Sequence, residues 1–192
     1  MDINESRLTF RFSDNTLKFD DAGYYRSYFN SFPQSKGVDV ISGGDTYSFL
    51  LEIKNFSDDE ANQSWRLYPD NQRLAQAPPG TTIHSSLDIE CAQKVAMTLA
   101  CLWGAETAGN SRPKAEELLP FAEMLHGSAF ARDRKKLLVI LFLEGQFGGY
   151  SRDKKMIMSA LQRSLSKKLQ WLKCRVSVVD SATYPKHLFQ LV

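Results

Sequence analysis

The chain reads as one α/β domain built on a mixed β-sheet flanked by helices, and three observations carry that reading. Residues 136–143, K-L-L-V-I-L-F-L, are apolar after the first position, as in strands buried on both faces. Segments 8–19 and 37–54 break at turn residues between β-type runs, as hairpins do. Segments 86–103 and 152–173 repeat apolar residues every three or four positions, as amphipathic helices do. Helices are expected on both faces of the sheet.

Taken in order, L-T-F-R-F-S-D-N-T-L-K-F breaks at Ser13, Asp14 and Asn15 and predicts a hairpin. Asp20 or Asp21 then caps a helix to about Phe32, with Tyr25, Phe29 and Phe32 at helical spacing. Pro33 ends it. The second hairpin follows and completes a unit spanning 8–54. Residues 55–82 are polar and irregular, and a loop this long is expected to border a site and to order on binding. Within it Trp65, Arg66, Tyr68 and Arg73 suit stacking on bases, while packing of Trp65 and Tyr68 on the core is the favoured use. Asp58, Asp59 and Glu60 make the same loop acidic.

The remaining unit, 86–192, opens on a helix whose stripe is Leu87, Cys91, Val95, Leu99 and Leu102. Lys94 sits at the border of that stripe, where snorkelling past apolar neighbours is the preferred reading. A helix over 113–131, interrupted near Gly127, precedes the apolar strand. The last helix buries Ile157, Leu161, Leu165, Leu169 and Leu172, and R-V-S-V-V-D closes with a strand. All of 1–192 is thus one domain.

Composition narrows the function classes. Hydrophobic residues at 43% and charged residues at 24% are ordinary for a globular protein. No apolar run approaches the roughly 18 residues of a membrane span, and the N-terminus lacks signal-peptide character. Cys91, Cys101 and Cys174 have no zinc or disulfide spacing, and His84, His126 and His187 are scattered. A reducing, cytoplasmic setting is expected. Between Arg132 and Arg175 there are twelve Lys or Arg against three acids, whereas the remainder is acidic. That basic third, with Lys155, Arg163 and Lys167 on its helix, suits either a phosphate-binding face or an ordinary solvated one.

The chemistry concentrates in K-G-V-D-V-I-S-G-G-D-T-Y-S-F-L-L-E-I-K-N, residues 36–55. Gly43, Gly44 and Asp45 supply the turn. Alternation puts Glu52 and Lys54 on one face, with Phe49, Leu51 and Ile53 on the other, apolar one. The natural register brings Asp39 beside Glu52. Two carboxylates and an ammonium then converge, an arrangement able to hold a divalent cation. A charged edge that keeps the hairpin in solution is the plain alternative.

The D-x12-E-x-K pattern resembles the PD-(D/E)XK nuclease superfamily, and V-D-V-I with L-E-I-K is similar to its Holliday-junction-resolvase-like branch. The order of K-F-D-D-x-x-Y-Y-R, E-C-A-Q-K-V-A-M-T-L, L-L-V-I-L-F-L-E and V-V-D resembles a group of small bacterial members. The resemblance implies an αβββαβ restriction-endonuclease-like core and a nuclease dependent on Mg²⁺ or Mn²⁺. It implies Asp39, Glu52 and the Ile53 carbonyl as metal ligands and Lys54 as the catalytic ammonium. Asp20, Gln93 and Lys94 are candidate accessory residues. Nucleic acid is the implied partner, DNA before RNA, alone or as a homodimer or subunit of a larger assembly. Phage defence, mobile-element biology or DNA repair is the setting. A nuclease fold without activity, serving as a binding subunit, is the alternative.

Overall fold

Among the described residues, strands β1 (Asp2–Glu5), β2 (Leu8–Phe12), β3 (Asn15–Lys18), β4 (Val40–Gly43), β5 (Tyr47–Asn55), β6 (Lys136–Glu144), β7 (Cys174–Val179) and β8 (Phe189–Leu191) divide between two sheets. The computed structural model describes residues 1–83, 85–126, 135–147 and 153–192, without the side chains of 58–62 and 126. The smaller sheet has the order β1-β2-β8 and the larger β3-β4-β5-β6-β7. In the larger sheet β3, β4 and β5 are antiparallel, while β5, β6 and β7 run parallel. Parallel neighbours need long crossovers. Helix α2 (Leu87–Ala108) belongs to the first crossover and α4 (Lys154–Lys168) to the second, with α3 (Leu119–His126) following α2. The fold is therefore α/β with one mixed sheet.

The hairpin expected over 8–19 does not form. Strand β2 pairs with β1 and β8, whereas β3 leaves for the larger sheet and pairs with β4. Alternation identified both strands but says nothing about partners. The true partner of β2 was hidden because Ser6 and Arg7 form the β1–β2 turn at φ of 50° and 61°. Such primed turns usually advertise themselves with Asn or Gly.

The larger sheet is buried on both faces, as the apolar run predicts. Leu50, Leu137, Val139, Leu141 and Leu143 pack beneath the helices with Cys91, Val95, Ile157, Leu161 and Leu165. Phe49, Leu51, Ile53, Ile140 and Phe142 pack instead against Ile3, Phe10, Phe12 and Phe189 of the small sheet. Helices on both faces is thus corrected: among the described residues they share one face, and the second layer is a sheet. The reason lies in the alternating Phe10 and Phe12, which give β2 an apolar side that must be covered.

The helix expected from Asp20 to Phe32 is broken into a 3₁₀ turn at Phe19–Asp21, a five-residue α1 (Gly23–Ser27) and a second turn at Phe29–Ser31. Neither aspartate caps it. Glu117 does, accepting the Tyr24 N–H at 2.5 Å from far along the chain. The helix expected over 113–131 is described as a 3₁₀ turn, Ala115–Glu117, and then α3. Its Gly127 interruption lies outside the described residues, as do His84 and Arg152. Among the described residues, no helix is long and apolar enough to cross a membrane.

Candidate functional site

The antiparallel register of β4 and β5 pairs Val40 with Leu51 and Ile41 with Leu50. One step further it sets Asp39 opposite Glu52, as the sequence predicts. Asp39 is fixed from both sides: its carbonyl accepts the Phe19 N–H at 2.8 Å, and its Oδ2 accepts the Ile53 N–H at 2.6 Å. The N–H and C=O of a strand residue leave on the same side, so the Ile53 carbonyl also faces this edge. Glu52 turns toward the helices, with Lys54 Nζ at 3.1 Å from its Oε1. Asp39 is only 4% exposed and Glu52 2%.

Lys94 completes the cluster. Its Nζ lies 2.6 Å from Glu52 Oε1 and 3.3 Å from Asp39 Oδ1. The preferred reading of Lys94 as a snorkelling residue is therefore corrected. Helical phase places it on the border of the stripe, and two buried carboxylates draw its ammonium inward. Two ammoniums and two carboxylates then occupy one nearly dry site. One atom in it is unmatched: Glu52 Oε2 is buried with no hydrogen-bond partner.

Burial, then the neighbouring Glu52 charge, pushes the Asp39 carboxyl up to about 7, while Lys94, Lys54 and the Ile53 amide act the other way. Burial alone would lower both lysines. The charges of Glu52 and Asp39 outweigh it, leaving Lys94 well above the ordinary lysine range and Lys54 above it too.

Further charge around the cluster comes from α2 and from the connection before it. Glu90, four residues before Lys94 and on the same helical face, pairs with Arg66. Burial would raise the Glu90 carboxyl, but Arg66, Lys54, Lys94 and Lys36 together hold it below its ordinary value. Arg66 also donates to Gln63 Oε1 at 2.7 Å and to the Ser85 carbonyl at 3.3 Å. From the sequence, Arg66 is named only as a candidate for stacking on bases, and Glu90 is not named. The i, i+4 spacing of Glu90 and Lys94 is the signal that finds the first.

The connection 55–82 is more structured than its composition implies. It carries a 3₁₀ helix, Asp58–Leu67, whose Trp65, Arg66 and Leu67 are buried. Arg73 lies 3.6 Å over the Tyr68 ring. Packing, the favoured use, is what is found: Trp65 is buried and Tyr68 packs against the core. The connection does reach the site, through Arg66 and Glu90. The side chains of Asp58, Asp59 and Glu60 are outside the described residues.

Of the accessory candidates, Gln93 is exposed and is not brought to the carboxylates. Asp20 sits on the turn whose Phe19 bonds Asp39, and its Oδ1 is buried without a partner. Burial raises its carboxyl, while the charges of Lys18 and Lys94 pull it down. Lys155, Arg163 and Lys167 are exposed on α4, outside the buried cluster. Among the described residues, no group of three or more His, Cys, Asp or Glu is placed to share a metal ion.

The match of residues 22–192 to one family, described as Family of unknown function (DUF6661), spans most of the chain. The chain belongs to DUF6661. The matched region holds Asp39, Glu52, Lys54 and Lys94 and leaves out β1, β2 and β3. No curated protein and no solved structure matches the chain.

Proposed function

We propose that this DUF6661 chain is a cytoplasmic nuclease of the PD-(D/E)XK kind, hydrolysing nucleic-acid phosphodiester bonds, DNA before RNA, with Mg²⁺ or Mn²⁺. The observation that carries the reading is the pairing of Asp39 with Glu52 across the β4–β5 hairpin, with Lys54 Nζ 3.1 Å from Glu52. The three antiparallel strands, then a helix and a parallel strand, support a restriction-endonuclease-like core, although here α1 stands between β3 and β4. Three free cysteines suit a reducing compartment.

The residues fit a hard divalent cation. Two carboxylates and a strand carbonyl are the oxygen donors such ions take. The buried, unpartnered Glu52 Oε2 is costly unless something charged or donating meets it. When bound, the cation would polarise a phosphoryl oxygen and acidify a water. The chain's own residues supply the rest. Lys54 offers an ammonium to negative charge developing on the phosphoryl group, in a site dry enough for that interaction to count. The Ile53 amide holds Asp39 in place, and Lys36 adds positive charge near Glu90.

A second reading draws on Lys94, whose ammonium already neutralises both carboxylates. On that reading the domain binds nucleic acid or a protein partner, as a homodimer or within a larger assembly, without cutting.

Cleavage of labelled duplex and single-stranded DNA with Mg²⁺, Mn²⁺ or chelator separates the two. The parent is expected to cut only with metal, and Glu52→Gln and Lys54→Ala to lose on the order of a hundredfold or more while melting cooperatively. Variants as active as the parent would overturn the assignment. A parent that binds DNA but never cuts favours the second reading.

A further inference from the structure

We propose that Lys94 is a resident cation of the carboxylate pair, and that a divalent ion enters between Asp39 and Glu52 only by displacing it. The inference rests on the cation-binding reading above and deepens it.

Lys94 Nζ touches Glu52 Oε1 at 2.6 Å and Asp39 Oδ1 at 3.3 Å. A cation bridging those two side chains needs the ground this ammonium holds. Two cations cannot occupy one bridging position, and their repulsion in a buried site adds to the cost of crowding them there.

Displacement needs only the side chain to move. The backbone around Lys94 is fastened on both sides: Asp88 is held by Ser86, Ser164 and Lys168 at the start of α2, and Thr98 accepts the Val38 N–H at 3.0 Å. The flexible four-carbon stem lets the ammonium change place about such a fixed point. A destination is also present. Glu90 lies one turn earlier on the same face and already acts electrostatically on Lys94. Without a divalent ion the ammonium balances two buried carboxylates that would otherwise repel. Once one binds, the lysine is released toward Glu90. Breaking the ion pairs of Lys94 weakens cation affinity, which makes the site selective for conditions of high divalent ion.

Calorimetric titration of Mn²⁺ into the parent, Lys94→Met and Glu52→Gln, under mildly alkaline conditions, tests this. Methionine keeps the apolar stem and removes the charge. Lys94→Met is expected to bind Mn²⁺ about tenfold or more tighter than the parent, including the case of a parent too weak to measure, and Glu52→Gln not to bind. Equal or weaker binding by Lys94→Met, beside a parent that binds, overturns the role of Lys94 and leaves the cation site standing. Absence of binding by both, with cooperative melting, overturns the cation site and the inference with it. Should Lys94→Met fail to fold, a crystal of the parent soaked in Mn²⁺ decides. The expected result has Nζ more than about 4 Å from both carboxylates; an ion between Asp39 and Glu52 with Nζ still touching both overturns the proposal.

Discussion

Thr98 shows how a single hydrogen bond positions the strand that leads to the candidate site. It is fully buried on α2, and its Oγ1 accepts the N–H of Val38, the residue before Asp39. Lys36 N–H, two residues earlier, meets Met97 Sδ at 3.2 Å. These bonds hold the lead-in to β4 against the helix that carries Lys94. Thr98→Val keeps the shape and leaves the Val38 amide buried and unpaired, so unfolding in urea should show a loss of about 1–3 kcal/mol. On the nuclease reading cleavage should fall as well, because the lead-in to Asp39 loses one of the bonds that tie it to α2; a variant with parental stability would show that the amide finds another partner. The same residues mark what a sequence reveals at this scale. Asp39, Glu52 and Lys54 are legible because strand alternation and a glycine turn determine both face and register. The direction of Lys94 is not legible, since helical phase places a Cβ on a border and the distant carboxylates decide where the ammonium goes. Thr98 itself reads as one more small stripe residue.

At the scale of elements, α2 begins in an unusual way. Ser86 makes no side-chain cap to the helix backbone. Its hydroxyl donates instead to Asp88 Oδ1 at 2.6 Å, while Ser164 and Lys168 of α4 meet Asp88 Oδ2, each at 2.7 Å. The Asp70 N–H adds a bond at 3.2 Å. Asp88 therefore pins the connection, α2 and α4 together. Burial would raise its carboxyl, but the bonds from Lys168, Ser86 and Ser164 and the Asp70 amide outweigh it and hold it below its ordinary value. With the folded-state value lowered, the stabilisation is full above about pH 4 and is lost as pH falls through the folded value. Asp88→Asn should cost about 1–3 kcal/mol at neutral pH, and the gap to the parent should close in acid. Denaturant melts across that range give the answer, and a gap independent of pH would remove Asp88 from this role. None of this network was visible locally, because its members come from three separate segments. The long helices and the β6 run were visible, since each carries its own periodicity. The broken α1 was not, because its cap is Glu117.

Across the whole molecule, the two faces of the larger sheet divide the labour. The phenylalanine-lined face against β1, β2 and β8 is packing, and the helical face carries the candidate site. This division was hidden in the sequence, where β1 and β8 are too short to stand out and β8 joins β2 from the opposite end of the chain. The basic third was visible, and the structure gives it a position. Asp153 caps α4 by accepting the Met156 N–H at 2.7 Å, and Lys154 in the first turn reaches Asp180 at 2.9 Å and Glu144 at 3.8 Å. Glu144 ends β6 beside Asn55, the neighbour of Lys54, in the parallel register. The start of α4 therefore stands at the same end of the sheet as the candidate site. From there Lys155 and Arg163 line an open depression of about 390 Å³, with Met156 exposed between them and Lys167 one turn beyond. On the nucleic-acid reading this row is the basic surface offered to a phosphate backbone. Reversing charge at Lys155, Arg163 and Lys167 should weaken duplex binding and flatten its salt dependence, by about one unit of slope for each phosphate no longer neutralised. Measured in the Glu52→Gln background by fluorescence anisotropy, the effect is free of cleavage. Folding should be unaffected, because all three side chains are exposed and on the outer face of the helix. An unchanged slope would make this face ordinary solvated surface and send the search for the nucleic-acid path to Lys36 and the connection around Arg66.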